Sequence, residues 1–69
     1  MYKLYYERDT ILSSGRVLRG DIYIMDEQKN IMHVIDRFTN KAFYCTPYKK
    51  VAARWLNKLN KGAAIATRF

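Results

Sequence analysis

A chain of 69 residues, 49% of them hydrophobic, with 13 Lys and Arg against six Asp and Glu, has room for one domain (1–69). Folding at this size buries only about 60% of the surface the unfolded chain exposes. Cys45 and His33 are the only residues of their kinds, which excludes an internal disulfide and a Cys/His zinc site within one copy, and no cofactor motif is present. No apolar run approaches the roughly 20 residues that cross a bilayer, and Met1-Tyr2-Lys3 leads into no signal-peptide core, so a cytoplasmic chain without membrane attachment is expected.

Charge is unevenly placed. Met1 to Asn40 holds six bases (Lys3, Arg8, Arg16, Arg19, Lys29, Arg37) and six acids (Glu7, Asp9, Asp21, Asp26, Glu27, Asp36). Lys41 to Phe69 holds seven bases and no acid, so the whole net charge of +7 sits in these last 29 residues.

Tyr2 to Glu7 alternates Tyr2, Leu4 and Tyr6 against Lys3, Tyr5 and Glu7, the period-2 pattern of a strand. Ser13-Ser14-Gly15 marks a loop, and Thr10 to Leu12 and Arg16 to Leu18 read as short extensions of the neighbouring strands. Asp21 to Met25 and Ile31 to Arg37 are β-branched and aromatic runs around the polar Asp26 to Asn30, a hairpin signature. Thr39-Asn40 offers a second turn before Lys41 to Cys45, which predicts a three-stranded meander. Ile65, Thr67 and Phe69 alternate in the tail and permit a final edge strand. The expected fold is α+β: a small antiparallel sheet of three to five strands packed against one C-terminal amphipathic helix of about 46–61.

That helix has cues at both ends. Thr46 is a suitable N-cap, Pro47 a suitable first helical residue and Gly62 a left-handed terminator. At roughly 100° per residue Tyr48, Val51, Ala52, Trp55, Leu56 and Leu59 share one apolar arc. The opposite arc carries Lys49, Lys50, Arg54, Lys58 and Lys61 with no acid. Mixed charges would gain pairs four residues apart, and like charges at that spacing repel. The helix dipole favours cations at Lys58 and Lys61 but opposes Lys49 and Lys50 by ~0.3 kcal/mol or more. A merely solvated face leaves those two lysines unexplained; a phosphate-binding face does not. The expected partner is therefore nucleic acid, RNA or DNA, contacted by Lys49, Lys50, Arg54, Lys58 and Lys61.

The string Lys49-Lys50-Val51-Ala52-Ala53 resembles the start of the last helix in double-stranded-RNA-binding domains, and a three-stranded meander before it is also similar. The resemblance implies lysines that touch phosphates across a groove. Where that family begins with a helix, this chain begins with the strand-like Tyr2 to Tyr6, and Phe43 to Pro47 replace the glycine-rich turn expected before the lysines.

Other features point less sharply. Tyr5, Tyr23 and Tyr44 are placed to present rings on a sheet face for base stacking, although strand propensity and core burial account for them better. His33 is a candidate general acid or base, but on a strand it shares a face with Ile31 while Asp36 lies on the other, so no enzyme is expected. Cys45 lies near a helix N-terminus, which lowers a thiol pKa, or else belongs to the core. The alternative to nucleic-acid binding is a compact protein-binding module, an inhibitor or adaptor of the phage or mobile-element kind, docking on an acidic partner. Exposed sheet edges also permit a homodimer.

Overall fold

Residues 1–18 and 20–68 are described by the computed structural model, Thr10 and Leu18 by backbone alone. Arg19, and Phe69 with its expected place in the last strand, lie outside the described residues. The elements are β1 (Lys3–Tyr6), β2 (Thr10–Ile11), β3 (Val17–Leu18), β4 (Ile22–Met25), β5 (Ile31–Asp36), β6 (Ala42–Phe43), α1 (Lys49–Asn60) and β7 (Ala64–Arg68).

The first four strands form one long ribbon. Lys3 pairs with Met25 and Tyr6 with Ile22, and the same register continues through Thr10 with Leu18 and Ile11 with Val17. Between these segments the Glu7 N–H donates to the Asp21 carbonyl at 2.9 Å. A Cβ on Gly20 would stand 1.9 Å from the Glu7 carbonyl oxygen, so the two strands pass too closely there for any side chain. The tip is a three-residue loop, Ser13-Ser14-Gly15, with Leu12 N–H to Arg16 C=O at 2.8 Å, Gly15 N–H to Leu12 C=O at 2.9 Å and Gly15 at φ +86°. A left-handed last loop residue is what this hairpin geometry demands. The outer half of the ribbon exposes Ile11, Leu12 and Val17 and contributes to a long axis of 43 Å against 26 and 18 Å.

The β4–β5 loop repeats the design with a different residue. Asp26 N–H donates to Asn30 C=O at 3.0 Å and Lys29 N–H to Asp26 C=O at 3.2 Å, but the left-handed position, φ +65°, is occupied by lysine. A Cβ makes that conformation costly by roughly 1 kcal/mol. Lys29→Gly is accordingly expected to stabilise the dilute protein by ~0.5–1 kcal/mol in urea unfolding, with the urea dependence unchanged; destabilisation would show that the lysine side chain holds the loop.

β5 organises the sheet. Along one edge Met32 to Asp36 pair with Arg68 to Ala64 of β7. β4, through Ile24 with Met32, and β6, through Val34 with Phe43, therefore share the other edge. The expected meander is present, with β4, β5 and β6 paired antiparallel in order, and beyond β6 Thr46 adds an antiparallel bridge to Ile22. The tail becomes a full strand at the sheet's outer edge.

The helix packs across the face built by Ile22, Ile24, Met32, Val34, Phe43 and Ala64. Ala52 is fully buried against it, with Val51, Trp55, Leu56 and Leu59 around the contact. Two expectations about the helix start are corrected. Tyr48, not Thr46, is the N-cap residue, and helical geometry begins at Lys49 rather than Pro47. Thr46 is committed instead to the Ile22 bridge, and its Oγ1 accepts the Tyr48 N–H at 3.1 Å. Tyr48 then lies at the helix margin, 63% exposed, outside the core. The other end is as expected: Gly62 is left-handed at φ +76°, with its N–H on Leu59 C=O at 3.1 Å and the Ala63 N–H on Lys58 C=O at 2.9 Å, a Schellman closure. No helix among the described residues is long and apolar enough to cross a membrane.

Candidate nucleic-acid interface

Lys49, Lys50, Arg54 and Lys61 are exposed on the surface of α1 that faces away from the sheet. Their first turn is unusual electrostatically. It contains no acid, and the N-cap residue makes no side-chain capping bond. The positive dipole end of the helix thus lies beside two ammonium groups, an arrangement that repels itself and attracts an anion.

Lys58 has a different position from its neighbours. Its ammonium lies 2.9 Å from Asp36 Oδ2 and 4.4 Å from the Trp55 ring centroid. Trp55 in turn stacks on Phe43, with ring centroids 5.5 Å apart. Asp36 is buried at 5% exposure, and its Oδ1 accepts the N–H groups of Phe38 at 2.8 Å and Thr39 at 3.0 Å. One carboxylate therefore fixes the turn after β5 and ties the last turn of α1 to the sheet. The Lys58 hydrogen bond, followed by the two backbone donors, holds the Asp36 carboxyl far below the usual carboxylate range.

Arg8 is an exposed cation beyond the end of β1.

Tyr5, Tyr23 and Tyr44 occupy the other side of the molecule. Tyr5 and Tyr23 are cross-strand partners with ring centroids 6.4 Å apart, and Tyr44 stacks on His33 at 4.2 Å. All three alternate with the residues that pack on the helix, so they face away from it. The cationic helix and these rings lie on opposite surfaces of a two-layer domain.

His33 and Asp36 are on opposite faces of β5, as alternation requires, and Asp36 is engaged by Lys58. Cys45 is exposed, and its thiol donates to Asp21 Oδ2 at 3.4 Å. Partial loss of hydration, then the Asp21 hydrogen bond and charge, push its pKa up, opposite to the lowering expected from the helix N-terminus. No group of three His, Cys, Asp or Glu that would hold a metal ion occurs among the described residues.

These features define a two-layer α+β domain with a cationic helical surface and an uncovered sheet face. Compared with protein-family models, with curated proteins and with solved structures, the chain finds no match. The likeness to double-stranded-RNA-binding domains remains local to Lys49-Lys50-Val51-Ala52-Ala53.

Proposed function

We propose that the domain binds nucleic acid by its phosphates, through Lys49, Lys50, Arg54 and Lys61, and that Lys58 belongs to the scaffold. The observation that carries this reading is the acid-free, uncapped first turn of α1 with its two lysines. Helix stability disfavours that arrangement, whereas a phosphate pairs with both ammonium groups together. Because Tyr5, Tyr23 and Tyr44 point the other way, binding rests on counterion release rather than base stacking on the sheet, and sequence discrimination is weak.

Fluorescence anisotropy with duplexes of unrelated sequence tests this. The expected result is similar affinity for each duplex and a steep loss of affinity with salt. Strong preference for one sequence, or no binding at low salt, contradicts it.

A second reading, a protein-binding module, is favoured by the uncovered sheet face, which a phosphate-binding helix does not use. Recovery of a stoichiometric protein partner on the tagged chain after nuclease treatment supports that reading; loss of all co-purifying material with nuclease supports the first.

A further inference from the structure

Around His33, Tyr44 and Thr67 the face of the sheet opposite α1 is largely apolar. Tyr5, Tyr23, Met25, Ile31, Ile35 and Ile65 occupy its outward positions, and Tyr5 and Ile65 are 40% and 49% exposed. A hollow of about 630 Å³ lies over the β1–β4 side, lined by Tyr5, Glu7, Tyr23, Met25, Lys29 and Ile31.

The charges around this hollow are ordered. Lys3 stands opposite Met25 at one end of the β1–β4 pair, next to the loop that carries Lys29, and Tyr5 stands opposite Tyr23 in the middle. Glu7 stands opposite Asp21 at the other end. Alternation sets Lys3, Tyr5, Glu7, Asp21 and Tyr23 on one side of the ribbon. A cationic end and an anionic end thus lie two residues, roughly 7 Å, to either side of the tyrosine pair. This pattern is complementary to itself. A two-fold axis running across the strands at the Tyr5–Tyr23 pair brings Lys3 and Lys29 of each copy over Glu7 and Asp21 of the other.

The same charges argue against a strongly acidic or basic foreign partner, because the four of them cancel. The helical cations that give the chain its excess positive charge lie on the opposite surface and do not oppose the approach of two such faces. Lys29 adds an independent sign. It occupies a left-handed position at the rim of the hollow where the equivalent loop has Gly15, and a strained residue of that kind persists where its side chain has a use.

We propose that this face is a homodimer interface in which two copies pack sheet to sheet, about 10 Å apart, with the tyrosine pairs at the axis and Glu7 and Lys29 paired across it. The two cationic helices then lie on opposite outer surfaces of the dimer, so the interface and the phosphate-binding surface are separately testable.

Sedimentation equilibrium of the full chain is the test. The wild-type protein is expected to dimerise reversibly. Glu7→Lys alone and Lys29→Glu alone should each weaken the dimer roughly tenfold or more, and the double reversal should restore it, with Tm in dilute solution unchanged by Glu7→Lys. A protein that stays monomeric up to millimolar concentration overturns the proposal, as does an association that neither single reversal affects or that the double reversal fails to rescue. Duplex binding by Glu7→Lys should persist in every case. Its absence from the wild type as well would count against the nucleic-acid reading and leave the interface standing.

Discussion

Asp36→Ala is expected to lower Tm by at least about 10 °C, because it removes the buried partner of a half-buried ion pair together with the acceptor of two backbone N–H groups, in a domain too small to absorb the loss. Three elements depend on this carboxylate. The Phe38 and Thr39 amides lose their acceptor, the turn between β5 and β6 loosens, and Lys58 is left beside the core without a counter-charge. Asp36→Asn keeps the shape and one acceptor oxygen, so it should cost clearly less than alanine while still losing the ion pair. Equal Tm values for wild type and Asp36→Ala would show that the turn and helix hold without it.

The same residue sets a pH dependence. Its pKa is depressed in the folded protein, so its contribution to stability is fully present above the ordinary aspartate value of about 3.9 and is lost as the pH falls below it. Acid titration of stability should therefore show a decline beginning near pH 4, and Asp36→Asn should flatten that decline. An acid transition of unchanged steepness in the variant would assign it to other carboxylates, of which Asp26, lowered chiefly by the Asn30 backbone N–H, is the next in line.

Neutralising the outer surface of α1 should have the opposite profile. Lys49→Gln, Lys50→Gln and Arg54→Gln combined should leave the fold intact or slightly stabilise it, since two of the three charges oppose the helix dipole. Affinity for nucleic acid should fall at least tenfold, and the slope of log K against log salt should flatten by about 3, close to one per lost phosphate contact. Lys58→Gln is the informative contrast. It sits in the same helical row in sequence, yet it should lower Tm and leave the salt slope nearly unchanged, because its ammonium already serves Asp36 and Trp55.

That contrast marks how far the sequence could be read. The apolar arc of α1, the Gly62 terminator and the β4–β5 hairpin were legible because each rests on local chemistry: a 3.6-residue period, a missing Cβ, β-branched runs around a polar loop. The continuous register from Lys3 to Met25 was visible only in outline, as extensions flanking Ser13-Ser14-Gly15. The helix start was misplaced because Thr46 has two possible uses, as a cap or as a bridge to Ile22, and the distant strand decided between them. Lys58 reads as one of five equivalent cations until β5 folds back and places Asp36 under it. The self-complementary charges of the open face involve Lys3, Glu7, Asp21 and Lys29, which are scattered through a segment of zero net charge. Only the cross-strand register orders them.

The central claim is that exposed cations on α1 bind phosphates and the buried-side cation does not. Salt-dependent anisotropy on one duplex, run in parallel for the wild type, the Lys49/Lys50/Arg54 triple glutamine variant and Lys58→Gln, tests it most directly. The prediction is a wild-type slope of roughly −3 to −4, a slope of about −1 for the triple variant, which keeps Lys61, and a Lys58→Gln line parallel to the wild type. A triple variant that binds with the wild-type slope, or a wild type that fails to bind at low salt, would contradict it.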